Sequence, residues 1–533
     1  MDESNIARAL ASSLRHAVVA IIAIALVVLA LSLYRLGAHD VCGGDEGVEA
    51  IAVQQMVERG RLMFPVENGT QPMYKPPLFH WTATGIDRVL GITKVDAFNL
   101  RLASALYGTA GAIVVMIFAY GVLGLDGAAL AGMTLAASYQ YITQARYGRV
   151  DMTLAFFEAL TLLAFLWWFD APARIVRNPV GGAMAERSVG SEYAQYLCAL
   201  AIGLAVLAKG PVGAILPAAA MGIFVISERR TGEFFRRLSP GAIVVAVLTG
   251  ASWYLACYFG GRYGFLNRQL GDENFGRFFG SLGTMSPFYY VVPLLFNSAP
   301  LSTIAPVAVF LAMTAGRPAP AESALDPGRR REFDSMRLLA IFWIVTVVFF
   351  TIAAYKRRSY LLPLWPASAL MIAWMVKRAS SRIGGRIIVR GYAALCAIPI
   401  VVNFFYIPHH EVRECGGDSF RPAAEEITRV VGPDEPLFTY GFTEEIAPLL
   451  FYLDRDAPEL KGKLGDAPPG YIIVPAKVWA KNKGEALDLE PVLESSHGAR
   501  DLILLRHGKV YARTFDAFAR ASYNPAQSAV SQK

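Results

Sequence analysis

Long uncharged runs alternate with short charged segments over most of the chain. The first run covers 17–34 and follows Arg8, Arg15 and His16. Others lie at 103–122, 127–145, 152–169, 194–208, 211–226, 240–258, 289–313, 338–355, 359–376 and 391–407. A helix needs about 20 apolar residues to cross the hydrocarbon core. It is also a spanning structure that satisfies every backbone polar group internally. The pattern therefore predicts a mainly α fold: a polytopic transmembrane helical bundle of about eleven spans. A cleavable signal peptide would have a shorter apolar core and a small-residue cleavage site. The first run thus reads as an uncleaved anchor with a cytoplasmic N-terminus.

Two stretches break the pattern. In 35–102, Ile51, Val53, Met56 and Val57 mix with polar positions between Glu46 and Glu58, as in a helix lying in the interface. Pro76 and Pro77 can begin but not continue a helix, so a second interfacial helix containing Trp81 is expected after them. Beyond about 408, a helix-like stretch, Arg421–Val431, precedes the β-rich runs 437–440, 471–474 and 502–505. This predicts a small C-terminal α/β extracytoplasmic domain. The expected organisation is a transmembrane domain over 1–410, an α/β domain over 411–522 and a disordered tail over 523–533.

Charge sets the orientation. Only 17% of the 533 residues are charged, against roughly 25% in soluble domains. The net charge of +7 is dispersed, with no basic stripe interleaved with aromatics, so no nucleic-acid partner is expected. Alternating spans put the richest basic clusters on the cytoplasmic side: Arg174, Arg177 and Arg187; Arg229, Arg230, Arg236 and Arg237; Arg329, Arg330 and Arg331; Lys377, Arg378, Arg382 and Arg386. The positive-inside rule requires this. Of the five cysteines, Cys198, Cys257 and Cys396 fall within or beside apolar runs. Cys42 and Cys415 fall in outside segments, where a disulfide between them is open.

Several outside-facing basic residues run against that trend: Lys75, Arg101, Arg146, Arg149, Lys209, Lys356, Arg357 and Arg358. Individually they can snorkel to headgroups. Jointly they suggest an electropositive cavity for a phosphate or pyrophosphate. Asp45 and Glu46 follow the first span in Cys-Gly-Gly-Asp-Glu-Gly. An N-cap role for Asp45 and a first-turn role for Glu46 stand beside a catalytic one. Asp151 opens the fourth span, either as an N-cap or as an ionisable group facing a cavity.

These pieces together resemble the aminoarabinose transferase and protein O-mannosyltransferase group of the C-type glycosyltransferases. The matching elements are Asp45-Glu46, Lys75-Pro76-Pro77-Leu78 with Trp81, and Arg101-Leu102-Ala103-Ser104-Ala105. Next come Arg149-Val150-Asp151-Met152, Lys209-Gly210-Pro211, Glu273-Asn274-Phe275-Gly276-Arg277-Phe278 and Tyr360-Leu361-Leu362-Pro363. They cover roughly residues 15–410 in order and spacing.

The resemblance implies inverting transfer of a sugar from a polyprenyl-phosphate carrier to an acceptor at the periplasmic face of a bacterial inner membrane. The acceptor would be lipid A or its core, another envelope lipid, or a protein. It implies Asp45 as general base beside Glu46, and Asp151 as a supporting carboxylate. Lys75, Arg149, Lys209, Lys356 and Arg357 would bind the donor phosphate, and Glu273 would orient a loop over the site. Aminoarabinose transferases usually carry Glu before the Lys of the Lys-Pro motif, whereas this chain has Tyr74. A divalent metal at that loop is therefore unsupported, and the sugar is not named. The rivals are a secondary transporter, which favours internal repeats that are not seen here, a lipid-linked glycan polymerase or ligase, and a non-catalytic scaffold.

Overall fold

The computed structural model describes residues 3–508 apart from 69–70, 171–173, 178–182, 187–188, 282, 317–325, 417, 443–445, 485–487 and 498–499. Arg187 and the tail expected over 523–533 lie outside the described residues. The helices that matter below are α1 (Glu3–Leu33), α2 (Gly44–Glu58), α3 (Leu78–Leu90), α4 (Ala97–Ala137), α5 (Tyr139–Ala145) and α6 (Val150–Phe169). They continue with α7 (Val189–Lys209), α8 (Val212–Ser227), α9 (Thr231–Arg237), α10 (Pro240–Phe259), α11 (Val291–Phe296) and α12 (Leu301–Thr314). After these come α13 (Pro327–Ile352), α14 (Leu364–Ala379), α15 (Arg386–Gly416), α16 (Arg421–Val430), α17 (Ala447–Leu453) and α18 (Ala476–Asn482). Between α10 and α11 the chain forms a π-helical stretch, Asn267–Gly276, flanked by the short helices Tyr263–Leu266 and Arg277–Phe279.

Each apolar run in the sequence falls wholly or mostly in helix. Among the described residues, six helices are long and apolar enough to cross a membrane, or seven if the pair Pro287–Phe296 and Leu301–Thr314, bent by 106°, is one span. That is fewer than the eleven expected, because several runs form shorter helices, such as the 16-residue α8 and α14. The second run and the first part of the third lie on α4, one long helix interrupted at Gly124, whose φ of 75° belongs to the left-handed region, and the rest of the third run forms α5. The protein is a multi-pass membrane protein.

The chain gathers into two compact units. The first takes the chain up to Gly37, Tyr74–Ile92 and Phe98–His409. Its buried apolar cluster includes Leu135, Ile142, Phe165, Phe224, Leu339 and Leu370. Two buried arginines close the end of α1. Arg146 donates to the carbonyls of Leu31 (3.0 Å), Ser32 (3.2 Å) and Tyr34 (2.8 Å), and Arg101 donates to that of Leu36 (2.9 Å). The last carbonyls of a helix have no partners within it, so these two cations serve that purpose.

The second unit takes Ala38–Met73, Thr93–Ala97 and the chain from His410 onward. Strands β1 (Leu437–Thr439), β2 (Gly470–Pro475), β3 (Leu489–His497) and β4 (Arg500–His507) form a mixed sheet in the order β1-β2-β4-β3. β1 and β2 are parallel, which requires a crossover connection, and the intervening chain carries α17. The inner strand β2 is apolar along its length, Gly-Tyr-Ile-Ile-Val-Pro, as a strand covered on both faces should be. Helix α2 is buried from Glu46 to Met56 and packs against α17. At Gly47 an added Cβ would lie 2.5 Å from Pro448 N, so only glycine allows this approach. Cys42 and Cys415 form a disulfide with a Cα separation of 5.8 Å.

Candidate active site

Arg149, in extended backbone, is the N-cap residue of α6, which places Asp151 in the first turn rather than at the cap. The side chain of Asp151 is thereby available for a distant partner. Helix α7 ends on Lys209, and Gly210 follows with φ 94° before Pro211 leads into α8. A Cβ on Gly210 would run into the Gln269 side chain. This break lets the Lys209 ammonium reach back to pair with Asp151, with the Tyr360 ring 4.8 Å from its Nζ.

A second set of charges sits on the same wall. Glu273 accepts from Lys75 at 3.3 Å through one oxygen and from Arg277 at 2.8 Å through the other. Glu273 lies in the π-helical stretch, a distortion frequent at functional sites. Tyr74 has two cations near its ring, Lys75 at 4.8 Å and Arg268 at 4.9 Å. Arg277 lies 5.5 Å from the Tyr355 ring.

These groups open onto one cavity of about 290 Å³ within the first unit. Lys75, Lys209 and Arg277 line it with Asp151 and Glu273, so three cations face two carboxylates. Leu154, Val212, Ile215, Phe278, Phe349 and Phe350 supply an apolar wall. A charged end joined to a hydrocarbon-like end suits an amphiphile with an anionic head.

The other expected site residues are placed differently. Arg149 is not among the lining residues; its charge acts on Asp151 while its guanidinium lies 4.9 Å from the Tyr147 ring. Lys356 is buried and donates to the carbonyls of Ala353 and Met285, and burial pulls its ammonium below its ordinary value. Arg357 lies beside Tyr355, donating to its hydroxyl at 3.4 Å. Neither Lys356 nor Arg357 lines the cavity, although their neighbours Tyr355, Ser359 and Tyr360 do. Asp45 and Glu46 belong to the second unit, in the first turn of α2, where Gly43 and not Asp45 is the N-cap residue. Arg277 stands in the sequence only as part of the Glu273–Phe278 motif. The i,i+4 spacing from Glu273 is the signal that marks the pair. Glu158, two turns along α6 from Asp151, carries no motif or helix-end signal in the sequence. It is buried, and neither of its carboxylate oxygens has a hydrogen-bond partner among the described residues.

Over 91% of its length the chain superposes on the crystal structure of ArnT from Cupriavidus metallidurans bound to undecaprenyl phosphate, with a TM-score of 0.71 and 21% identity, covering 97% of that chain. The fold is that of ArnT. The archaeal oligosaccharyltransferase AglB from Archaeoglobus fulgidus is more distant, with a TM-score of 0.53 and 13% identity over 86% of this chain and 69% of that one. The family model for dolichyl-phosphate-mannose-protein mannosyltransferases matches residues 73–260. The undecaprenyl phosphate-alpha-4-amino-4-deoxy-L-arabinose arabinosyl transferase 1 of Pseudomonas fluorescens is 24% identical over 68% of this chain and 59% of its own length. An Aquifex aeolicus protein described only as uncharacterized is 27% identical over 65% of this chain and 62% of its own. The match thus spans about three fifths of each of these two relatives. The similarity that short motifs suggested is carried by sequence for both the aminoarabinose and the protein O-mannosyl transferases, and by fold for ArnT.

Proposed function

We propose that the protein is an inverting glycosyltransferase that moves a sugar from a polyprenyl-phosphate carrier to an envelope lipid or protein at the periplasmic face of a bacterial inner membrane. The observation that carries this reading is the cavity in which Lys75, Lys209 and Arg277 meet a wall of phenylalanines and aliphatic side chains. A carrier of this class has the same two parts, a phosphate head and a hydrocarbon tail.

In the proposed reaction an acceptor oxygen or nitrogen attacks the anomeric carbon as the bond to the phosphate oxygen breaks. A single displacement inverts that carbon and releases polyprenyl phosphate. Asp45 is the base that takes the acceptor's proton. Charge builds on the departing phosphate, and preorganised cations in a water-poor cavity stabilise it most where it develops. Lys75 and Lys209 are ammonium groups on flexible stems, each held by a carboxylate in the free protein. A phosphate competes for both, while Asp151 and Glu273 keep them near the cavity. Arg149, Lys356 and Arg357 add positive charge around this centre, and Glu46 supports the first turn that carries Asp45.

The test is release of polyprenyl phosphate by the purified protein in lipid, given a sugar-loaded carrier and extracted envelope lipids. Asp45→Asn is expected to lose about 10²–10⁴-fold in rate while remaining folded. Undiminished turnover in that variant removes the base. If the wild type releases no polyprenyl phosphate with any carrier sugar, the reading as a transferase falls.

A further inference from the structure

In the second unit, one group of side chains has no part in the transfer reaction. His39, Cys42 and Cys415 present ligand atoms that all lie within 4.8 Å of one another. Glu411 lies beside the histidine, with Oε2 at 3.6 Å from His39 Nε2, and both side chains are nearly fully buried. Glu411 and Cys415 are four residues apart on α15 and so share a helix face. His39 and Cys42 are three apart in the segment before α2.

The histidine is set up in a particular way. Its Nδ1 lies 2.9 Å from the backbone carbonyl of Asp40. A carbonyl can only accept, so Nδ1 carries the proton. In the neutral ring Nε2 then presents a lone pair towards the Glu411 carboxylate. Two acceptors facing each other need a cation between them, either a proton or a metal ion. A histidine whose Nδ1–H is bound to a carbonyl and whose Nε2 is turned inward is the arrangement by which metal-ligating imidazoles are oriented.

We infer that in the reduced chain His39 Nε2, the two thiolates of Cys42 and Cys415 and the Glu411 carboxylate form a tetrahedral site for zinc or a similar divalent cation, as an alternative to the disulfide. Two sulfurs, one imidazole and one carboxylate are donors that zinc accepts in four-coordinate sites. Bond lengths of about 2.0–2.3 Å put tetrahedral ligands roughly 3.3–3.8 Å apart. The His39, Cys42 and Cys415 ligand atoms already lie within 4.8 Å of one another, and Glu411 reaches the same centre through His39, which its carboxylate approaches to 3.6 Å. The balance is simple. A phosphine reductant and water convert the disulfide to two thiols and phosphine oxide. The cation then displaces one proton from each thiol and the proton held between His39 and Glu411. Either state ties the segment before α2 to α15.

The test uses the full-length protein, reduced with a phosphine, freed of excess reagent and titrated with Co²⁺ as a spectroscopic stand-in. One equivalent should bind with tetrahedral d–d bands and a thiolate-to-metal charge-transfer band, and the oxidised protein should show neither. Zn²⁺ should displace the Co²⁺ and raise the melting temperature of the reduced protein. Uptake should release three protons, one from each thiol and one from between His39 and Glu411, and weaken as pH falls. His39→Ala and Glu411→Gln should each lower affinity at least about tenfold, while the oxidised forms of both variants keep the disulfide. Tetrahedral thiolate spectra that are absent from the reduced wild type, or unchanged in the His39→Ala, Glu411→Gln double variant, would overturn the site.

Discussion

Helix α6 carries a carboxylate at each end, Asp151 in its first turn and Asp170 just past its last residue. Both are buried and both meet a basic residue, yet their surroundings differ. Asp170 shares Arg230 with Asp334, each accepting from Nη1 at 2.9 Å. The Nε of Arg230 goes to Glu233 at 2.8 Å, Nη2 approaches the Phe169 carbonyl at 3.3 Å, and the guanidinium lies 4.0 Å from the Phe169 ring. Nearly every donor of the rigid fork is occupied. At the other end Lys209 meets Asp151 on the edge of a cavity, beside Lys75 and Arg277. A compact ammonium with three rotatable donors can change partners where a forked guanidinium cannot. The first cluster is saturated and locks helices together. The second keeps capacity for an incoming anion. Buried charge alone therefore does not mark a site; surplus cationic charge facing open space does.

The contrast can be broken by mutation at either end. Lys209→Ala or Lys75→Ala should lower turnover about 10²–10³-fold, measured as polyprenyl phosphate released per folded molecule. Arg230→Ala should leave that figure within a few-fold of wild type. If it fell as far as in Lys209→Ala, the two clusters would not differ in kind. The loss from Arg230→Ala should appear in stability instead, at about 3–5 kcal/mol, because it strands buried carboxylates. Thermal melting in lipid reads it out, and an unchanged melting temperature would show the network to be slack.

A pH series sharpens the saturated end. Burial, with the charge of Asp334 added, pushes the Asp170 carboxyl up to about 7 in spite of Arg230. A folded value above the unfolded one means a contribution to stability that is whole in acid and lost as pH rises through about 7. Melting temperature should therefore decline between about pH 4 and pH 7 and level off above that, and Asp170→Asn should flatten the decline. The smallest effect belongs to the aromatic lining. Tyr360→Leu removes the ring beside Lys209 and should raise the donor KM a few-fold, in keeping with about 0.5–2 kcal/mol for such a contact. An unchanged KM would mean that the ring does not act on the cation once donor is bound.

Much of the architecture was legible before any coordinates. Apolar runs read as helices because a lipid-facing segment must satisfy its own backbone. The breaks at Lys209-Gly210-Pro211 and at Pro76-Pro77 read as breaks because glycine and proline act locally on φ. Lys75, Asp151, Lys209 and Glu273 stood out as charges in unusual places, and these four line one cavity. Arg101 and Arg146 stood out equally and turned out to satisfy carbonyls at the end of α1. Their sequence context does not separate the two cases, because both are cations near the end of an apolar run.

Local rules thus determined which segments are helices, where they stop and which charges need an explanation. They could not determine partners. Lys75 and Glu273 are 198 residues apart, Arg230 and Asp334 are 104 apart, and the disulfide spans 373. Such pairings depend on how helices pack and on which side of each helix faces which neighbour. Nor did composition show that residues 38–73 fold with the chain from His410 onward. Hydrophobic periodicity reports that a face is buried, but the identity of what covers it is a property of the assembled fold alone.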